Sequence, residues 1–414
     1  MRLCVFSQWY DPETGPASLP GVYARALASR GHDVRVLTGF PNYPTGRLYP
    51  GYDARRPLTE MRDGLRVRRV PLYPSHGASA IGRILNYGSF ALSATLLGSR
   101  EFKKLDAIWV YNSPATIGLP LLVHSGRNRT PFLLHVQDLW PESVLRSGML
   151  PTALSGSMLE SMLRRLVAQI DHRAAAIAVV SPSVKQLLVE RGVSPEKISY
   201  VPNPTDETVF YPRPRRPELR RHLGAETGFI LMYAGSLGHV QALDTAVRAM
   251  ERLRHRLDIK LVFVGSGIAE KGLRELVRRL ELTSVTFLGR VSQEDIPDLM
   301  AAADAQLVSL GDDPFLRAST PSKLQAIFAA SIPILAVLKG DGAELVTRAD
   351  SGLVSQPGDP GNLAENIVRL ADMDEHSLAR MGTNGREYYC RHMSVQRTTD
   401  LVEDLLIRMT SKAS

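Results

Sequence analysis

The chain has 414 residues, 44% hydrophobic and 22% charged, and a net charge of +8 at pH 7. That length exceeds what one hydrophobic core supports, so two domains are expected, and the charge favours an anionic ligand or surface. Nucleic acid is disfavoured because aromatic and basic residues do not alternate, and the two cysteines, Cys4 and Cys390, form neither a disulfide framework nor a metal-ligand spacing.

In chain order, residues 3–7 read as a strand, 19–30 as a helix that Gly31 stops, and 34–38 as a second strand. The first residues lack a signal-peptide pattern, and no apolar run is long enough to span a bilayer. A cytoplasmic or membrane-peripheral location is expected. Residues 81–97 are strongly apolar between basic flanks, which suits a core helix better than a membrane-surface helix. Short apolar runs follow at 107–110, 132–136, 176–180 and 198–201, each ending in polar or small residues. This is the pattern of parallel strands buried on both faces. Residues 202–221, rich in proline and arginine, read as an interdomain crossing. The alternation then restarts, with strands at 229–234, 259–264, 285–288, 305–310 and 332–337 and helices at 242–253, 268–280, 296–303 and from Lys323. A helical tail ends the chain. The expected domains are 1–205 and 206–384, with a helix over 385–414 packing back on the first.

The segment Ser319-Thr320-Pro321-Ser322-Lys323-Leu324 reads as a loop opening a helix. Ser and Thr are good caps and Pro321 suits a first helical position. Lys323 falls in the first turn, where the helix dipole disfavours a cation, so an anion between the lysine and the free N–H groups would reconcile them. An ordinary capped helix, its lysine reaching to water, is the alternative. Three glycine loops follow strands: Tyr233-Ala-Gly235-Ser236-Leu237-Gly238, Val264-Gly265-Ser-Gly267 and Leu288-Gly289-Arg290-Val291. Together with the helix start they describe one rim of strand ends suited to a phosphate.

These elements, in this order, resemble the carboxyl-terminal domain of GT-B glycosyltransferases of glycosyltransferase family 4. In the first half, Gln8–Gly15 is similar to the family's loop after the first strand. His135-Val-Gln-Asp138-Leu-Trp-Pro-Glu142-Ser resembles the L-fucosamine transferase-like subgroup. The resemblance covers nearly the whole chain. It implies an α/β GT-B fold, two doubly wound Rossmann-like domains facing a deep cleft. It also implies a nucleotide-diphosphate sugar donor, a sugar, lipid-linked or small-molecule acceptor, retention at the anomeric carbon, and no cofactor or metal. By position, Gly235, Ser236, Leu237, Gly238, Gln241, Thr320, Pro321, Ser322 and Lys323 would surround the diphosphate, with Gly15 approaching from the first domain. Gly265, Arg290, Val291 and the Ala326 position would meet base and ribose. His135 would touch the transferred sugar, Lys323 would neutralise the leaving group, and Asp138 would position the acceptor or orient His135. Thr14, Pro16 and Asn112 fall on the acceptor side.

The chain departs from the family pattern. Ala318 and Ala326 stand where the pattern has two glutamates, Ser236 and Gln241 where many members carry Arg and Lys, and Gly15-Pro16 replaces a Gly-Gly pair. Lys323 is then the leading cation, with Arg290 or Arg317 as helpers. The readings are an active transferase in bacterial glycan or natural-product biosynthesis, or a catalytically silent nucleotide-sugar binder or partner subunit. An epimerase of the same fold fits less well. A thiol acceptor is a minor variant, because a thiol gives up its proton easily.

Overall fold

The computed structural model describes residues 1–75, 80–128, 130–143 and 157–411. The chain divides into two compact units: Met1–Asn203 with Val395–Ser414, and Pro204–Ser394.

The first unit is built on an eight-stranded sheet in the order β3-β4-β2-β1-β5-β6-β7-β8. Its strands are β1 (Arg2–Phe6), β2 (Asp33–Gly39), β3 (Leu58–Arg62), β4 (Leu65–Val70), β5 (Ala107–Asn112), β6 (Phe132–Val136), β7 (Ala176–Val179) and β8 (Ile198–Tyr200). Only β3 runs antiparallel, as a hairpin with β4. β5, β6 and β7 are buried at every residue, as expected of parallel strands covered on both faces. The second unit is an all-parallel sheet in the order β11-β10-β9-β12-β13-β14. Its strands are β9 (Phe229–Ala234), β10 (Ile259–Val264), β11 (Val285–Gly289), β12 (Ala305–Ser309), β13 (Ile334–Val337) and β14 (Gly352–Ser355). Two doubly wound α/β units are the GT-B architecture.

Both sheets reverse strand order once, between β1 and β5 and between β9 and β12. At such a switch point the loops diverge to opposite faces and leave a crevice at the carboxyl ends. The second unit shows it in register. β9 pairs with β10 over six residues but with β12 only through Leu231 and Met232, stopping short of Ala234.

The predicted helix over 385–414 is two helices, Glu375–His392 and Val395–Ser411. Tyr389 and Met393 are buried in the second unit's core, whereas Val402, Leu405, Leu406 and Met409 are buried in the first unit's core. One straight helix cannot serve both cores, and the break at Met393–Ser394 divides its apolar residues between them. The helix after Pro321 likewise begins at Lys323. Its cap Ser322 lies in the helical region without a side-chain cap bond, so Pro321 falls in the preceding turn and not at the first helical position. Residues 81–97 fall in a helix, Ala80–Leu97, that is buried on one face only.

Candidate functional site

In the second unit the three glycine loops are laced together by their own backbone. Gly235 N–H donates to the Val264 carbonyl (2.8 Å), Leu237 N–H to Ser266 (3.0 Å) and Gly265 N–H to Gly289 (2.7 Å). The loops press so closely that a Cβ on Gly265 would lie 2.0 Å from the Gly235 carbonyl oxygen. Gly238 N–H donates to Gln241 Oε1 at 3.0 Å. Three of the four N–H groups expected to meet a diphosphate, at Gly235, Leu237 and Gly238, are therefore engaged inside the protein. Leu237 also buries its side chain completely. That part of the expected cradle is corrected: the loop supplies a rigid, side-chain-free floor, with the exposed Ser236 as its polar edge.

Across the switch point, Ser309 Oγ donates to the Gln241 carbonyl (2.6 Å) and Gly311 N–H to Val240 (2.8 Å). The β9 loop is thereby fastened to the strand end that leads to Lys323. The Lys323 ammonium sits 3.7 Å from the centre of the Tyr233 ring. A Cβ at Gly235, whose φ is +142°, would come within 2.5 Å of Nζ. Only glycine leaves the lysine this seat. Tyr233 is itself held in place, its hydroxyl donating to the Ser236 carbonyl at 2.7 Å. Lys323 has no carboxylate or hydrogen-bond partner among the described residues. Burial pushes its ammonium down to about 7, and the ring face compensates only in part.

The proposed helper Arg317 is already neutralised, pairing with Asp312 at 2.8 Å beside Lys339 at 2.6 Å. Arg290 is exposed and carries no ion pair among the described residues, and Val291 packs half-buried on the core. Thr320, Pro321 and Ser322 form the turn before Lys323, with Pro321 close enough to Gly342 that an added Cβ there would meet its Cδ at 3.2 Å. Ala318 and Ala326 are buried. The second unit thus gathers Gly235, Ser236, Gly265, Lys323 and the turn before it.

In the first unit, Thr14, Gly15 and Pro16 are exposed just beyond β1, with Gly15 at φ +67°. The Tyr111 hydroxyl donates to the Pro16 carbonyl at 3.1 Å, tying the β1 loop to β5 across the other switch point. Ser113 Oγ donates to Asp138 Oδ2 at 2.6 Å. Asp138 is solvent-exposed at the end of β6, although protein around it raises its carboxyl above the usual range. Its open surface decides its access to ligand. Asn112 is buried, and its Oδ1 has no hydrogen-bond partner among the described residues. Thr14–Pro16, Asn112 and Asp138 thus gather at neighbouring strand ends.

His135 does not join them. It is fully buried on β6 between Tyr23 and Trp109, with ring centres 5.8 and 5.7 Å away. Its Nε2 donates to the Val201 carbonyl at 3.2 Å. Burial holds the imidazole neutral, its pKa lowered to about 4. The expected sugar contact is corrected to a core histidine, because no face of the ring is open. Glu142 of the same motif bridges Arg164 (2.9 Å) and Arg191 (2.5 Å).

Sequence reasoning missed three structural supports. Glu13 is a buried clasp that accepts N–H bonds from Tyr10, Asn42 and Tyr43, and desolvation raises it to about 7. Arg69, completely buried, holds Glu60 at 2.8 Å and the Gly39 and Asp11 carbonyls. Gln8, Asn86 and Asn42 form a buried amide chain. Among the described residues, no group of three or more His, Cys, Asp or Glu is placed to hold a metal ion.

Two family profiles match the chain. The one described as "Glycosyl transferase 4-like domain" matches residues 14–204, and "Glycosyl transferases group 1" matches residues 215–388. Fold, loops and matches together define a glycosyltransferase. Within that class the chain is a GT-B enzyme related to glycosyltransferase family 4. It is 29% identical over 321 residues to the putative colanic acid biosynthesis glycosyl transferase WcaI of Escherichia coli K12, covering 74% of this chain and 76% of that one. It is 27% identical over 383 residues to the N-acetyl-alpha-D-glucosaminyl L-malate synthase of Bacillus anthracis, covering 91% and 89%. The fold matches the crystal structure of Anabaena Alr3699/HepE in complex with UDP and glucose, with a TM-score of 0.69 and 17% identity over 98% of this chain and 99% of that one.

Proposed function

We propose that the second unit binds the diphosphate of a nucleotide sugar against Lys323, and that the first unit presents the acceptor near Asp138. One observation carries this reading: a largely buried ammonium, without a carboxylate partner among the described residues, held on Tyr233 over the glycine floor. An unpaired buried cation is costly, and a diphosphate would offset that cost. In the reaction, the bond between the anomeric carbon and the β-phosphate oxygen breaks, and its electron pair leaves with the diphosphate. The acceptor oxygen bonds to the same carbon and its proton passes to the departing phosphate. Lys323 stabilises the charge that grows on that leaving group. Attack from the face that the diphosphate leaves would give retention at that carbon without a carboxylate nucleophile. Gly265, Arg290 and Val291 would border the base. The Ala326 position leaves the ribose without the carboxylate of the family pattern.

We propose kinship to the L-fucosamine transferase-like subgroup on the resemblance of two regions, the stretch from His135 to Ser143 and the loops between Tyr233 and Leu324. The relatives' names suggest bacterial glycan assembly or small-molecule glycosylation as the setting. Buried alanines at 318 and 326 favour a second reading, a nucleotide-sugar binder without turnover. Incubation with UDP-, GDP- and TDP-sugars, with and without sugar, lipid-linked and thiol acceptors, separates the two. Release of free nucleotide from one donor is expected; binding with no release under any acceptor would leave only the binder.

A further inference from the structure

The helix Ala80–Leu97 carries an apolar face that is exposed among the described residues. Ile81, Ile84, Leu85, Leu92 and Leu96 are 63%, 42%, 48%, 62% and 66% exposed. At helical spacing they fall on about a third of the circumference, along about 23 Å of helix. The opposite face, with Asn86, Phe90, Ala91 and Ala94, is buried. The neighbouring helix Gly118–Asn128 packs alongside and adds Leu119 and Val123, 39% and 48% exposed. An apolar stripe this continuous marks an interaction surface rather than scattered exposed residues.

Charge identifies its partner. No Asp or Glu occurs between Asp63 and Glu101, nor between Asp106 and Asp138, so both helices are free of acidic residues. Glu101 at the stripe's end is buried and held by Arg66 at 3.1 Å. Immediately beside it Arg100, Lys103 and Lys104 are exposed, with no ion pair among the described residues. The contrast is the helix Glu270–Arg279, whose outward arginines pair with Glu270 and Glu275 as a solvent-facing surface does. A protein partner would meet the stripe with mixed charge, whereas an acid-free apolar stripe rimmed by cations complements an anionic lipid surface. No helix among the described residues is long and apolar enough to cross a membrane, so the contact is peripheral.

We infer that the first unit docks on anionic bilayers through Ile81, Ile84, Leu85, Leu92 and Leu96, with Arg100, Lys103 and Lys104 at the headgroups. This does not depend on the donor reading, since the residues are separate from Lys323. The test is flotation of the full chain with phosphatidylglycerol-containing vesicles and with pure phosphatidylcholine vesicles. Binding is expected to the anionic vesicles and to weaken as salt rises. Leu92→Asn with Leu96→Asn, both at exposed positions, is expected to weaken it by roughly tenfold or more. Lys103→Glu with Lys104→Glu is expected to abolish the preference for anionic lipid. Circular dichroism and nucleotide-sugar binding should stay as in the unaltered chain. Absence of vesicle binding, or binding indifferent to both pairs of substitutions, would overturn the inference. So would sedimentation showing a dimer that the leucine substitutions dissolve, since the stripe would then belong to a second copy.

Discussion

Lys323 couples stability to binding with opposite signs. Its folded pKa, near 7, lies below the usual lysine value of 10.5. The unfolded chain therefore holds the extra proton between about pH 7 and 10.5, and stability of the second unit rises with pH across that window. Lys323→Met should remove this rise and increase stability at pH 7 by about 1 kcal/mol or more, read by denaturant unfolding. Binding runs the other way. A nucleotide sugar carries a fixed charge near neutrality, so its affinity should hold below pH 7 and fall above it as the lysine deprotonates. Calorimetry across pH 6–9 checks this, and a flat profile would contradict a charged contact. His135 gives a distinct signature. Its folded pKa, about 4, lies below the ordinary 6.5, so stability falls as pH drops from 6.5 toward 4. His135→Gln, unable to titrate, should flatten that acid limb while leaving donor affinity unchanged.

At the scale of elements, the glycine floor depends on close backbone approach. Gly265→Ala, with its Cβ set against the Gly235 carbonyl at 2.0 Å, should destabilise the second unit by roughly 2 kcal/mol or more through backbone displacement. Gly235→Ala meets mainly the flexible end of Lys323, although its φ of +142° is strained for alanine. It should lose nucleotide affinity by a larger factor than its stability loss explains, read by paired titration and unfolding. The strand–loop–helix alternation was legible because parallel strands buried on both faces must be continuously apolar, as in β5, β6 and β9. The β3–β4 hairpin was not, because Leu-Arg-Val-Arg-Arg-Val reads as a solvated segment until Glu60 and the Gly39 carbonyl are seen to satisfy Arg69. β14, only Gly-Leu-Val-Ser, is too short to carry a pattern. Within the site, Lys323 and the glycine loops were legible from helix-start and turn chemistry. His135 was misread because a motif gives adjacency along the chain, whereas the side its ring faces is set by β6. The engagement of the Gly235, Leu237 and Gly238 amides was hidden too, since their acceptors come from loops distant in sequence.

At the scale of the whole molecule, the chain leaves its first unit near Asn203 and returns to it at Val395. Both termini therefore stabilise one core. Arg30 pairs with Asp400 and Glu403, and Leu406 is fully buried in the cluster that holds Tyr23 and Trp109. Leu406→Ala should cost about 2–5 kcal/mol and lower the unfolding transition of the first unit, leaving nucleotide binding by the second intact; loss of both together would show that the units do not unfold separately. The central claim is that the second unit holds a diphosphate on Lys323. It is tested most directly by calorimetric titration of UDP, GDP and TDP into the full chain and into Lys323→Met at pH 7. At least one nucleotide is expected to bind the unaltered chain and to lose affinity on substitution by roughly tenfold or more, about 1.4 kcal/mol. Binding of equal strength to both proteins would contradict the claim.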